Sequence, residues 1–168
     1  LDGIDRDLDA GEIIEQMVRL QHCLPVEERI SHIVMMGMGE PLANLENVLS
    51  ALEFSGDAEG LGISARRVTI STVGLPTAIR KLAARQCKYH LAVSLHAPDD
   101  ELRNQLVPVN KRVGLEEILS AADFYFEASG RRLTFEYVLL AGLNDSPQHV
   151  ARLGQLLRGR PAMINLIP

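Results

Sequence analysis

Tryptophan is absent from this chain of 168 residues, and aromatic residues make up only 4% of it, so its core must be built from aliphatic side chains. The two cysteines, Cys23 and Cys87, lie far apart and have neither zinc-binding nor redox spacing. No disulfide framework is visible, and we therefore expect reduced thiols in a cytoplasmic protein. Both cysteines are interpreted as small buried apolar residues.

Long apolar runs and an excess of positive charge are also missing. No segment approaches the length of a transmembrane helix, no signal-peptide pattern is present, and no membrane association is predicted. The formal net charge of -5 argues against a stand-alone nucleic-acid binder, although it leaves room for a basic patch or a separate basic domain. The chain starts at Leu1 and ends at Pro168 directly after an apolar run, which we interpret as the middle of a longer protein.

The chain alternates between helical and strand patterns, and its hydrophobic content of 46% is sufficient for one domain with a core. Short apolar segments predict strands at 30–36, 68–72, 89–95, 133–140 and 162–167. Helical crossovers between them imply a parallel sheet, and the lack of clean alternation predicts that both of its faces are covered. The pattern alone does not separate a barrel from an open sheet.

Local signals predict where the helices begin and end. Asp9 and Glu12 have the spacing of a capping box, and Asn44 precedes a second helix as a candidate N-cap. A short helix after Asp99 is predicted to end near residue 102, with a loop at 105–114. The helix from residue 115 is closed by Gly130. The last helix opens at Ser146-Pro147, with an apolar stripe of Val150, Leu153, Leu156 and Leu157.

The segment Gly37-Met38-Gly39-Glu40-Pro41 follows the first predicted strand. It places a glycine-rich turn with one carboxylate at the C-terminal end of that strand, the edge where α/β folds bind ligands. Glycine allows close approach of the backbone to a ligand, and Glu40 could hold an ammonium group. The alternative is a plain strand-to-helix turn that needs glycine only for its geometry.

Small hydrogen-bonding groups stand at the ends of the other strands as well: Ser71-Thr72, Ser94-Leu95-His96, Asn144-Asp145 and Asn165. This set has no triad spacing, no carboxylate pair for glycoside hydrolysis and no metal-binding cluster. It suits a polar small molecule with amino, hydroxyl and heterocycle edges. His96 alone could be a base, a hydrogen-bond donor or a cap for a turn.

Several segments together resemble one family: Met36-Gly37-Met38-Gly39-Glu40-Pro41-Leu42-Ala43-Asn44, Arg67-Val68-Thr69-Ile70-Ser71-Thr72, Ser94-Leu95-His96-Ala97-Pro98, Val107-Pro108-Val109-Asn110-Lys111, Glu136-Tyr137-Val138-Leu139 and Ile164-Asn165-Leu166-Ile167-Pro168. The family is the radical S-adenosylmethionine (SAM) RNA methyltransferases of the RlmN/Cfr type. The segments occur in the family's order over nearly the whole chain. The pattern resembles the RlmN branch more closely than the Cfr branch.

The resemblance implies an α/β fold, a partial (β/α)6 barrel of the radical SAM type, here lacking its first strand. Residues 1–168 would be the central part of the radical SAM core domain. SAM would lie across the C-terminal ends of the strands. The residues carried over as its ligands are Gly39 and Glu40 for the amino group, Ser71 and Ser94 for the polar edge, Leu95 beside it, and His96 and Asn165 for the ribose or adenine end.

The resemblance also implies a reaction: methylation of carbon 2 of adenine in 23S rRNA and tRNA. The family cleaves SAM reductively at a 4Fe–4S cluster and passes the methyl group through a protein cysteine. Its partners would be those RNAs and an electron donor such as flavodoxin, and the protein would be a monomer. No residue of this chain inherits a catalytic or metal-binding role.

The chain departs from the family pattern at several points. The three-cysteine motif Cys-x-x-x-Cys-x-x-Cys is missing, and so are the methyl-carrying cysteine and the N-terminal RNA-binding domain. These elements are expected in the parent protein, outside this segment. Two other interpretations remain open: a SAM- or nucleotide-binding remnant without chemistry, and another α/β barrel enzyme that binds a phosphorylated metabolite.

Overall fold

A computed structural model describes residues 5–168, so the first four residues of the predicted domain lie outside the described part. Helices and strands alternate along these residues. The strands are β1 (Ile33–Met35), β2 (Val68–Thr72), β3 (His90–Ser94), β4 (Leu133–Val138) and β5 (Ala162–Ile167). The helices are α1 (Ala10–His22), α2 (Leu45–Gly56), α3 (Pro76–Ala84), α4 (Asp100–Leu106), α5 (Leu115–Ser129) and α6 (Pro147–Leu156). Short 3-10 turns cover Ala65–Arg67 and Pro108–Lys111.

The five strands form one parallel sheet in the order β1-β2-β3-β4-β5. Each strand lies beside its neighbour in sequence, and a helix connects every pair, which is the strand order of a (β/α) barrel. Within residues 5–168 the sheet is open rather than closed. The α/β class, the parallel pairing and the partial barrel predicted from the sequence are confirmed.

Successive side chains of a strand point to opposite faces of the sheet. One face packs against the helices and contributes fully buried apolar residues to the core, among them Ile70, Leu91, Val93 and Phe135. Tyr125 is fully buried in the same core, so the expectation of an aliphatic core is wrong. On the central strands the other face carries mainly small and polar residues, and Asn165 of β5 adjoins them: Thr69, Ser71, Ala92, Ser94, Thr134, Glu136 and Asn165. We call this second surface the polar face.

Three sequence predictions about apolar residues are wrong in the described residues. Coverage of both faces extends over the central strands but not over β5, where Met163, Ile164 and Leu166 are exposed. Val150 is also exposed, because α6 turns its buried face, represented by Leu153, towards the core. Cys23 follows the last turn of α1 and is exposed, whereas Cys87 is half-buried.

The first strand is shorter than predicted. Only residues 33–35 pair with β2, whereas the apolar pattern covers residues 30–36. The Gln21 side chain accounts for the difference on the N-terminal side, since it accepts from the Ile30 amide at 2.9 Å and donates to the Glu28 carbonyl at 3.0 Å. That amide is therefore satisfied by a helix side chain instead of a neighbouring strand.

Helix α4 is longer than predicted and continues to Leu106, and a 3-10 turn occupies part of the predicted loop. Asp99 caps this helix, as expected, by accepting from the Leu102 amide. The Asn110 side chain holds the following turn against the helix, because it donates to Asp100 Oδ1 at 3.0 Å and to Asn104 Oδ1 at 2.8 Å.

The other helix ends largely follow their local signals. The Asp9–Glu12 capping box and the Ser146 cap are present, and Gly130 ends α5 with φ 65°. Asn44 stands at the N-cap position of α2, but its side chain donates to the Leu8 carbonyl and does not cap the helix. None of the described helices is long and apolar enough to cross a membrane.

Candidate ligand-binding site

The Glu40 carboxylate is held at the C-terminal ends of β1 and β2 by two backbone amides. It accepts from the Leu42 amide at 3.0 Å and from the Val73 amide at 2.8 Å. Gly37 and Gly39 take φ values of 132° and 116°, which side chains other than hydrogen rarely tolerate, so the turn depends on glycine. Each carboxylate oxygen keeps capacity to accept a further hydrogen bond, and the half-buried group is thereby oriented for a ligand.

The polar face brings the predicted serines and asparagine together with a glutamate that the sequence analysis did not propose. Ser94, Glu136 and Asn165 are register partners across β3, β4 and β5. Ser71 lies on the same face of β2, opposite Ala92, and its Oγ is 3.5 Å from Glu136 Oε2. Four side chains with hydrogen-bonding groups therefore share one surface beyond the Glu40 turn.

His96 closes the turn after β3 with a left-handed backbone, φ 60°. Its Nδ1 accepts from the Val138 amide at 3.1 Å, and its carbonyl accepts from the Asn144 side chain at 2.9 Å. Burial lowers the pKa of the imidazole, and the positive charge of Arg103 lowers it further. The neutral ring that accepts at Nδ1 carries its proton on Nε2, so the geometry favours a hydrogen-bond donor over a base.

Arg103 lies beneath the strand ends and is completely buried. Its guanidinium donates to the carbonyls of Val73 at 2.6 Å, Ser94 at 2.9 Å and Leu95 at 3.1 Å. It also donates to Asn110 Oδ1 at 2.6 Å. Burial lowers the pKa of Arg103 to about 10, which still leaves it charged at neutral pH. One side chain thus fixes the ends of β2 and β3 together.

Asn144 belongs to the strand-end set predicted from the sequence, but the structure gives it a different task. Its side chain is 1% exposed, accepts from the Leu140 amide and donates to the carbonyls of His96 and Val138. Its own carbonyl accepts from the Tyr137 hydroxyl. The Asn144 side chain therefore bonds to backbone groups on both its oxygen and its nitrogen. It positions His96 and has little hydrogen-bonding capacity left for a ligand.

Two other members of that set face the core. Thr72 is buried, and its hydroxyl accepts from the Gly74 amide at 3.0 Å. Leu95 is fully buried, and its amide donates to the Glu136 carbonyl at 2.9 Å. The placement of Leu95 beside the ligand stays a prediction. Because its side chain is buried, its backbone next to Ser94 would have to make that contact.

The sequence held weak signals for the residues that were missed. Glu136 is a lone carboxylate in the middle of an apolar strand segment, which is unusual for a buried strand. Arg103 has no comparable signal, because an arginine in a short polar helix is ordinarily a surface residue. Asn110 lies in one of the segments that carry the family resemblance. Its hydrogen bond from Arg103 shows that this segment has a structural role.

The sequence profile described as the radical SAM superfamily matches residues 3–154. That match covers most of the chain. The chain belongs to the radical SAM superfamily. The resemblance proposed from the sequence segments is confirmed at this level.

Relatives within the superfamily point to one branch. The chain is 67% identical over 168 residues to a Rhodopirellula baltica protein called probable dual-specificity RNA methyltransferase RlmN, covering 100% of the chain and 45% of that protein. A Symbiobacterium thermophilum protein of the same name is 50% identical over 166 residues, covering 99% of the chain and 45% of that protein. The chain therefore spans about half the length of the curated relatives it matches.

Solved structures agree with the architecture. A radical SAM methyltransferase from Sphaerobacter thermophilus superimposes with a TM-score of 0.94 at 44% identity, covering 99% of this chain and 49% of that one. A domain of pyruvate-formate lyase-activating enzyme from Bacteroides vulgatus gives a TM-score of 0.62 at 22% identity, covering 83% and 81% of the two chains, and supports the fold alone.

Membership of the radical SAM superfamily implies SAM and a 4Fe–4S cluster as cofactors. The described residues fit SAM, because Glu40 offers an oriented carboxylate for an ammonium group and the polar face offers hydroxyl, amide and carboxylate groups. They do not fit the cluster, since residues 5–168 contain no group of three side chains that could hold a metal ion.

Proposed function

We propose that the protein to which this chain belongs is a radical SAM methyltransferase that methylates carbon 2 of adenine in 23S rRNA and tRNA. Residues 1–168 would be the central part of its SAM-binding core domain. The observation that carries the proposal is the oriented Glu40 carboxylate at the edge of the polar face, in a chain that is 67% identical to a relative named as an RNA methyltransferase.

The proposed ligand contacts follow the arrangement of the strand ends. Gly39 and Glu40 would hold the ammonium group of SAM, with the carboxylate held in place by two backbone amides. Ser71 and Ser94 would bond the polar edge of the ligand beside Leu95. His96, through Nε2, and Asn165 would contact its ribose or adenine end; the accepting role of His96 Nδ1 supports this assignment.

SAM, when bound, supplies the methyl group and, on reductive cleavage, the radical that activates an unreactive carbon. The residues of this chain would orient SAM rather than react with it. Three features support this orienting role: the amides that fix Glu40, the Arg103 network beneath the strand ends and the Asn144 contacts that hold His96.

The partners of the whole protein are likewise proposals. The names of the relatives support RNA as the substrate, and RNA methylation fits a cytoplasmic location. We also propose that the protein acts as a monomer and takes electrons from a carrier such as flavodoxin. The chain itself carries a net charge of -5, so the basic RNA-binding surface would come largely from the rest of the protein.

The test is RNA methylation by the full-length protein with a reconstituted cluster, SAM and a reductant. Mass spectrometry of digested 23S rRNA and tRNA is expected to detect 2-methyladenosine only when all three components are present. Product that persists after removal of the cluster would contradict a radical mechanism. SAM binding without any methylation would favour a non-catalytic SAM-binding protein, and binding of phosphate esters in place of SAM would favour a different barrel enzyme.

A further inference from the structure

Glu136 is a buried carboxylate on the polar face for which no residue in the described part of the chain supplies a cation. It is 9% exposed and belongs to none of the ion pairs formed within residues 5–168. Within residues 5–168 its carboxylate accepts one hydrogen bond, from Ser71 Oγ to Oε2 at 3.5 Å, which is the outer limit of a hydrogen bond. Burying a carboxylate costs free energy unless a cation or several donors offset it, so Glu136 calls for a partner.

The position of the carboxylate follows from the strand register. Glu136 lies on β4, and Ser71 lies two strands away on β2. On the intervening strand β3, Ala92 is the register partner of Ser71 and Ser94 is the register partner of Glu136; both side chains are small and leave room for Glu136 to lean across the sheet. The carboxylate therefore reaches the middle of the polar face instead of remaining above its own strand.

Arg103, a fully buried cation that contacts the strand ends, does not serve as that partner. Its hydrogen bonds are directed to three backbone carbonyls and to Asn110, beneath the strand ends. The polar face and the adjoining turn thus present two carboxylates, Glu136 and Glu40, and neither forms an ion pair within residues 5–168. This distribution of charge suits a ligand with more than one positive centre.

The two carboxylates are also close enough to act on one small molecule. Glu40 accepts from the Val73 amide and Glu136 accepts from the Ser71 hydroxyl, and Ser71 and Val73, two positions apart, are separated by at most about 6.6 Å of extended chain. SAM carries two positive centres, an ammonium and a sulfonium, joined by a short aliphatic chain. On the proposed function, the ammonium is assigned to Glu40, which leaves the sulfonium for the second carboxylate.

We propose that Glu136 recognises the sulfonium charge of SAM and so distinguishes SAM from neutral thioethers. A sulfonium has no N–H or O–H donor, and its attraction to Glu136 would act through space in a partly desolvated site. This inference rests on the proposed function, since it requires that SAM binds across the polar face. It predicts a charge-dependent selectivity that Glu40 does not share, because the ammonium is present in both kinds of ligand.

The experiment compares SAM with S-adenosylhomocysteine, its neutral thioether counterpart, by calorimetry on the full-length protein with its cluster under anaerobic conditions. The wild type is expected to bind SAM more tightly than the thioether. Glu136→Gln keeps the shape of the side chain but removes its charge. We expect this variant to lose about tenfold in SAM affinity, equivalent to about 1.4 kcal/mol, with little change in affinity for the thioether.

Glu40→Gln is the matched control, because it removes the other carboxylate and is expected to weaken both ligands to a similar extent. Equal loss of both ligands in Glu136→Gln would overturn the sulfonium assignment, and so would unchanged affinity for both. If that variant does not fold, equal affinity of the wild type for the two ligands still overturns it. A wild type that binds neither ligand contradicts the proposed function itself, whereas binding with a ratio independent of Glu136 contradicts only this inference.

Discussion

The Glu40 carboxylate accepts a hydrogen bond from the Val73 amide at 2.8 Å, and this contact joins the turn after β1 to the end of β2. The carbonyl of the same Val73 accepts from the buried Arg103 guanidinium at 2.6 Å. A chain of contacts therefore runs from the core through one residue to the proposed ligand group. The orientation of Glu40 depends on the packing of residues far from it in sequence.

Glu40→Gln in the full-length protein is expected to weaken SAM binding by roughly 1.5–3 kcal/mol, or about ten- to a hundredfold, because a charge-assisted hydrogen bond to the ammonium is lost. Calorimetry on the protein with its cluster measures the change. Glu46→Gln is a suitable control, since Glu46 pairs with Arg85 on the exposed surface of α2. Unchanged SAM affinity in Glu40→Gln would refute the role of Glu40.

Arg103→Met is expected to lower the free energy of unfolding by roughly 3 kcal/mol or more, because several buried acceptors lose their donor together. Chemical denaturation of the full-length protein measures this loss. The exposed Arg85→Met should change stability by about 1 kcal/mol or less. Equal effects of the two substitutions would show that the Arg103 network contributes little.

Asn144→Asp keeps the size of the side chain but removes the donor to the His96 and Val138 carbonyls. We expect a loss of about 2–4 kcal/mol in the free energy of unfolding, since buried acceptors are left unpaired beside a new buried charge. The neighbouring Asp145→Asn, on an exposed side chain, should be nearly neutral. Stability that is indifferent to Asn144→Asp would contradict its positioning role.

The lowered pKa of His96 predicts a pH dependence of stability. The unfolded state, with an ordinary histidine pKa of about 6.5, binds a proton more readily than the folded state. Stability is therefore fully present above that value and declines as the pH falls from 6.5 towards the folded-state pKa. Melting temperatures of the wild type and His96→Asn between about pH 5 and 8 test this expectation.

His90 supplies the control for this measurement. Burial and the nearby Arg131 lower its pKa too, so His96→Asn should remove only part of the decline. The double variant with His90→Asn should remove more of it. An acid limb that is the same in the wild type and in His96→Asn would show that the ring of His96 titrates equally in both states.

The strand assignments show how far local patterns reach. β2 and β5 occupy the predicted residues, because their apolar and β-branched runs end at clear breakers. β1 is shorter than its apolar run, since Gln21 of α1 takes the Ile30 amide before the strand begins. This side-chain contact between Gln21 and Ile30, nine residues apart, cannot be predicted from the local hydropathy pattern.

The site divides in a similar way. Glu40, Ser71, Ser94 and Asn165 were expected at one edge because the C-terminal ends of parallel strands meet there, and the structure places all four there. Their individual ligand roles were implied by the family resemblance. Their ligand contacts stay predictions. Glu136 was missed because its importance depends on leaning across β3 towards Ser71, a direction allowed by the small side chains of Ala92 and Ser94.

The α/β class, the order of helices and strands, the glycine turn that carries Glu40 and the family of the chain all follow from the order of its amino acids. Hydrophobic periodicity, caps and glycine positions are local properties, so they can be read along the chain. Three-dimensional contacts were needed to establish that Arg103 is a buried support, that Asn144 serves the backbone and that Glu136 faces the site without a cation from residues 5–168. The burial of a side chain and its hydrogen-bond partners depend on contacts between residues that are distant in sequence, and only the folded chain determines those contacts.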